Sequence, residues 1–182
     1  MQVRSCGGIS ANPTALLQEI LPDRNVKTKE MSQKKIMGYE KGERQMRTRR
    51  LGKTGLMVSE IGFGGEWLER HPEEESIELI KYASKKGINI LDCWMADPKS
   101  RNIIGEGIKE NRSQWFIQGH IGSTWKDNQY FRTRDMKYVR PAFEDLLKRL
   151  QTDYIDLGMI HYVDSEEEWE KIQHSDYLDY VM

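Results

Sequence analysis

Three short apolar runs in this chain each end on an ionisable side chain, and a helix-like stretch lies between each run and the next. The first follows a glycine: residues 87–92 read G-I-N-I-L-D, with Ile88, Ile90 and Leu91 forming a buried strand that stops on Asp92. The second, residues 115–119, stops on His120; the third, residues 154–160, stops on His161. A carboxylate at the end of a buried strand is costly unless it is paired. One such residue could simply cap the next helix. Three at equivalent strand ends are harder to dismiss, and in a barrel of parallel strands that end is where active sites sit.

The segments around these runs complete the pattern. Residues 48–59 carry Gly52 and Gly55 between apolar pieces, a hairpin signal. Residues 60–65 read as a short strand ending on Gly64 and Gly65, where the backbone can approach a flat ligand closely. The spacing predicts a helix over 72–86, with Pro72 in its first turn, Ile77, Ile80 and Ala83 facing inward, and Gly87 as the stop. A second helix over 100–110 has Ser100 as N-cap, and Gly105 and Gly107 suggest close packing on a strand. Residues 121–132 read as a long loop carrying Trp125, Tyr130 and Phe131. The helix over 135–150 has a continuous apolar stripe, in which Pro141 marks either a kink or the true first turn. A fourth helix covers 166–180. Alternation of this kind implies a parallel sheet with helices outside it. Trp67, Trp94 and Trp125 follow three strand ends and are candidate walls of a substrate pocket.

Composition narrows the function class. With 37% hydrophobic and 31% charged residues and no apolar run near ~18 residues, the 182-residue chain is expected to be one soluble domain without a membrane span. Its two cysteines, Cys6 and Cys93, suggest neither a disulfide framework nor a metal knuckle, so a reducing cytoplasm is the expected compartment. Basic residues outnumber acidic ones in the first fifty positions and the balance reverses afterwards. The basic residues are scattered with few aromatics among them, which argues for a solvated arm and against a nucleic-acid partner. Residues 1–45 show little periodicity and are expected to lie outside the fold, as a disordered or non-native extension. An early start codon, appended residues and a regulatory arm are all open.

The quoted motifs resemble the aldo-keto reductases. L-G-K-T-G-L-M-V-S-E-I-G-F-G-G at 51–65 looks like that family's opening hairpin and first strand. G-I-N-I-L-D at 87–92 looks like its second strand, and I-I-G-E-G-I-K at 103–109 like its second helix. L-x-R-L-x-T-D-Y-I-D-L at 147–157, running on to His161, looks like its third helix and fourth strand. The resemblance implies an α/β fold, a (β/α)8 TIM barrel with an N-terminal β-hairpin, of which residues 46–182 supply the first four β/α units. It also implies reduction of a small-molecule carbonyl with NADPH or NADH, whose phosphate-binding part lies outside these units. Asp92 and His161 match two catalytic positions. The family's proton-donating tyrosine falls at Asp97 and its lysine at His120, so both halves of that pair are replaced. His120 or Tyr162 is then the substitute donor to look for, since an ionised Asp97 has no proton to give. On this reading catalysis falls to Asp92, His161 and His120, and cofactor contact to Gly64 and Gly65, with no metal. The chain alone is expected to reduce carbonyls poorly or not at all. Two other readings stand beside it. One is a non-catalytic relative that binds a cofactor or a partner. The other is a metal-dependent hydrolase using Asp92, His120 and His161.

Overall fold

A computed structural model describes residues 45–182; the expectation for residues 1–45 concerns, save for residue 45, chain outside that range. An antiparallel hairpin, β1 (Thr48–Arg50) and β2 (Met57–Ser59), leads in. Asn89 fastens it: its Oδ1 accepts from the Ser59 amide at 2.7 Å and its Nδ2 donates to the Met57 carbonyl at 2.9 Å. Four parallel strands then form one sheet in the order β3 (Phe63–Gly64), β4 (Ile90–Cys93), β5 (Phe116–Ile121), β8 (Leu157–Ile160). The helices between them are α1 (Glu73–Lys85), α2 (Pro98–Ile108) and α3 (Met136–Leu150).

Register assigns the two faces of the sheet. Gly64, Asp92 and Gln118 are in-register neighbours on β3, β4 and β5. Their side chains therefore share one face, and His120, two residues after Gln118, joins them. The alternate residues Leu91, Cys93, Ile117 and Ile121 are buried on the other face. There Leu91, Cys93 and Ile117 pack with Ile80 of α1, Ile103, Ile104 and Ile108 of α2, and Leu146 and Leu150 of α3. A slip of one residue would exchange the faces, so burial of the Leu91–Ile117 set holds Asp92 and His120 on the other side. Cys93 is a free thiol in this core, and burial pushes its pKa up to about 12.

Several local expectations are corrected. The N-cap of α2 is Asp97, whose carboxylate accepts from the Ser100 amide at 2.8 Å, with Pro98 in the first turn. Gly105 and Gly107 meet helices, not a strand: a Cβ at Gly105 would stand 2.1 Å from the Arg149 carbonyl oxygen, and one at Gly107 would stand 2.9 Å from Ile80. Pro141 lies inside α3, which starts earlier, capped by Asp135 accepting from the Lys137 amide at 2.9 Å. The last helix is two, α4 (Glu166–Gln173) and α5 (Asp176–Val181). The break falls where the Ser175 hydroxyl donates back to the Ile172 carbonyl at 2.7 Å, a side-chain bond that competes with helix continuation.

Residues 121–132 are not a loop. They form a second hairpin, β6 (Ser123–Lys126) and β7 (Gln129–Arg132). The two turn residues, Asp127 and Asn128, have φ of 51° and 60°. A two-residue turn with both φ values positive matches the twist of paired strands, and aspartate and asparagine tolerate that region best after glycine.

Candidate active site

At the C-terminal end of β4, Asp92 Oδ1 accepts from Gln118 Nε2 at 2.8 Å and from His120 Nε2 at 3.0 Å. His120 then meets His161, with Nδ1 to Nδ1 at 2.8 Å. His161 follows β8, and its amide donates to the Ile121 carbonyl of β5 at 3.1 Å. The three residues that end strands in the sequence thus form one hydrogen-bonded chain. Asp92 is not a helix cap.

The chain has a fourth member that the sequence reading left in a loop. Tyr130, on β7, places its hydroxyl 2.6 Å from His161 Nε2. Trp94 holds the histidine ring from the side, stacked on it with centroids 5.8 Å apart and planes 12° apart, and meets Tyr130 edge-to-face at 5.5 Å. The signal for Tyr130 was present: S-T-W-K and Q-Y-F-R flank an Asp-Asn pair. Reading that pair as a turn would have put Trp125 and Tyr130 side by side on one face of a hairpin.

With both histidines neutral, one assignment of protons satisfies the contacts from Asp92 to Tyr130, and the Gln118 amide nitrogen, 3.2 Å from His120 Nε2, spends its N–H on Asp92. Asp92 as a carboxylate accepts only, so His120 donates from Nε2. A neutral His120 then accepts at Nδ1 from His161 Nδ1–H, and His161 accepts at Nε2 from the Tyr130 hydroxyl. Each ring nitrogen is spent on a neighbour. Two nitrogens bound to one zinc at ~2.0–2.1 Å in tetrahedral geometry stand roughly 3.3 Å apart, wider than the 2.8 Å here. The two nitrogens stand at hydrogen-bond distance from each other.

The model of the Aldo/keto reductase family matches residues 60–179. The chain belongs to the aldo/keto reductase family. It is 38% identical over 120 residues to the aldo-keto reductase YhdN of Bacillus subtilis, covering 61% of this chain and 36% of that protein. Among solved structures, the PA4992 aldo-keto reductase of Pseudomonas aeruginosa is 30% identical with a TM-score of 0.63, over 74% of this chain and 54% of that one. A Klebsiella pneumoniae aldo-keto reductase in complex with NADPH shares the fold at 21% identity and TM-score 0.52, over 70% of this chain and 45% of that one. The chain spans between a third and two-fifths of the length of the first curated relatives it matches.

Against the aldo/keto reductase pattern, the remaining nominated residues fall as follows. Asp97, expected from the resemblance at the tyrosine position, caps α2. Tyr162 lies beside His161, with centroids 4.6 Å apart, and is exposed. Trp67 is exposed in a left-handed conformation, with the Arg70 guanidinium 3.5 Å above its ring. Trp125 is the cross-strand partner of Tyr130. Gly65 is bare for a packing reason, because a Cβ there would stand 2.6 Å from the Asp92 carbonyl oxygen and 2.8 Å from Ile104. Gly64 is different: nothing lies within 4 Å of its Cβ position, beside Asp92 on the same face.

The electrostatics fix where charge resides. Burial, His120 and the guanidiniums of Arg134 and Arg132 push the His161 pKa down to about 4, with Asp92 opposing them. The Arg134 guanidinium is held near by donating from Nη2 to the His161 carbonyl at 2.5 Å, and its positive charge disfavours a second one on the ring. His161 is therefore neutral at pH 7. The ordinary histidine value, 6.5, applies to the unfolded chain, so between pH 6.5 and 4 the unfolded state binds more protons. This contribution to stability is complete above pH 6.5 and is lost as pH falls to 4, by at most roughly 3 kcal/mol. Urea midpoints are expected to fall between pH 7.5 and pH 4.5, and the fall should be smaller in His161→Asn. An equal fall in the variant would show that other groups set the slope.

Proposed function

We propose that this site reduces a small carbonyl compound with NADPH or NADH, with Asp92, His120 and His161 as its proton-handling residues. The observation that carries the reading is the hydrogen-bonded run from Asp92 through both histidines to a hydroxyl, at the strand ends where the family's chemistry takes place. A nicotinamide cofactor supplies hydride to the carbonyl carbon when bound. The residues present fit a flat ring: Gly64 leaves open space beside Asp92, and Trp94 lies against the Tyr130 and His161 rings. Cofactor contact is assigned to Gly64, while Gly65 supports it by packing.

Residues 46–182 are read as the first four β/α units of a (β/α)8 barrel. Among the described strands, β3 and β8 each have a parallel neighbour on one side only. The 182-residue chain by itself is expected to turn over slowly, since such a sheet leaves one face of the site unsupported. The proposed compartment is the cytoplasm, where a free thiol such as Cys93 persists. Among the described residues no helix is long and apolar enough to cross a membrane.

The test is a chimera in which residues 60–179 replace the matching segment of the Bacillus subtilis relative. Carbonyl-dependent oxidation of NADPH by that protein is the expected result. A folded chimera that binds NADPH and oxidises none of it with a panel of simple aldehydes would favour a non-catalytic, cofactor-binding role instead.

A further inference from the structure

We infer that the Tyr130 hydroxyl is the proton donor of this site, replenished through His161 from a His120 imidazolium paired with Asp92. The inference rests on the reductase reading above and names the donor which that reading lacks. Three features carry it. The tyrosine and lysine positions of the family are filled by a helix cap and a histidine. Among the described residues, the one hydroxyl bonded to the histidine pair comes from a different element, the β6–β7 hairpin, at 2.6 Å. The contacts from Tyr130 to Asp92 are unbroken, with links of 2.6, 2.8 and 3.0 Å.

The chain of contacts has two proton configurations that differ by a single proton. In the discharged one, Tyr130 donates to His161 Nε2, His161 Nδ1–H to His120 Nδ1, and His120 Nε2–H to Asp92. In the charged one, His120 holds protons on both nitrogens, donating Nε2–H to Asp92 and Nδ1–H to His161 Nδ1. His161 then carries its proton on Nε2 and donates to the Tyr130 oxygen, which frees the O–H to point at a substrate. As hydride reaches the carbonyl carbon, the C=O π pair moves to oxygen, and that oxygen takes the Tyr130 proton. The tyrosinate takes the Nε2 proton of His161, and His161 takes the Nδ1 proton of His120. The products are an alcohol, an oxidised cofactor and the discharged configuration, which a solvent proton at His120 resets. The groups facing the pair fit this direction. Arg134 and Arg132 oppose charge on His161, while the Asp92 carboxylate meets His120 Nε2 at 3.0 Å. His120 thus takes the part of the family's lysine as the positive charge behind a tyrosine.

Histidine spectra of the 182-residue chain test the relay without turnover. With 15N-labelled histidine followed over the pH range in which the chain stays folded, His120 is expected to become an imidazolium. In the same step His161 stays neutral and moves its proton from Nδ1 to Nε2. An imidazolium at His161, or a single His161 tautomer throughout, overturns the relay. In the chimera, Tyr130→Phe is expected to lower kcat by about 10²–10⁴ with KM nearly unchanged. Turnover within threefold of the parent overturns Tyr130 as donor. If the parent chimera does not turn over, the reductase reading fails first, and the histidine spectra alone decide the relay.

Discussion

Replacing Gly105 by alanine is expected to destabilise the chain by about 3 kcal/mol or more. Two effects oppose each other. Alanine is the better helix former, worth roughly 1 kcal/mol in a helix interior. The new Cβ, however, would stand 2.1 Å from the Arg149 carbonyl oxygen and 3.2 Å from the Leu150 Cα. Backbone cannot rotate away as a side chain can, so α2 and α3 must separate. Both helices pack on the Leu91–Ile117 face of the sheet, so the separation opens the core. Typical domains have 5–15 kcal/mol to lose. Gly107→Ala is the graded comparison, since its nearest contacts are Ile80 side-chain atoms at 2.9 Å, which can shift. Denaturant midpoints should rank the parent above Gly107→Ala and that above Gly105→Ala. A Gly105→Ala protein as stable as the parent would mean that α2 and α3 do not approach this closely.

Asp92→Asn should lower turnover in the completed barrel by about 10²–10⁴, the range for loss of a positioned proton-transfer group. The shape is nearly unchanged, and an amide oxygen can still accept from Gln118 and His120. What goes is the negative charge that holds the His120 imidazolium. NADPH affinity should stay within a few-fold, because the change is in the protonation of the relay and not in the room beside Gly64. Stopped-flow oxidation of NADPH separates the two effects. Equal loss of affinity and rate would place Asp92 in cofactor binding instead.

Asp92 and His161 could be read as site residues because the strand period is two: once Leu91 and Ile117 are buried, Asp92 and Gln118 must face the other way. The helix signals were legible to within a few residues for a similar reason, since caps and stops act over one turn. Asp97 shows the limit of local reading. Ser100 and Asp97 are both good caps, and the choice between them depended on Pro98 at the start of α2. Gly105 and Gly107 announced a close approach, but which element approaches is a property of how three helices share one sheet face.

The sequence by itself determined the order of the parallel strands and of the helices between them, the faces of the strands and the three strand-end residues, because each follows from interactions over a few positions along the chain. The partner of those residues was decided by tertiary structure alone. Tyr130 lies 31 positions from His161 in the chain, and their contact needs the Asp127-Asn128 turn to fold β7 back over the sheet. A hydrogen bond of 2.6 Å depends on the twist of that hairpin and the stacking of Trp94 together. No periodicity along the chain encodes an angle between two elements that meet only when the whole is folded.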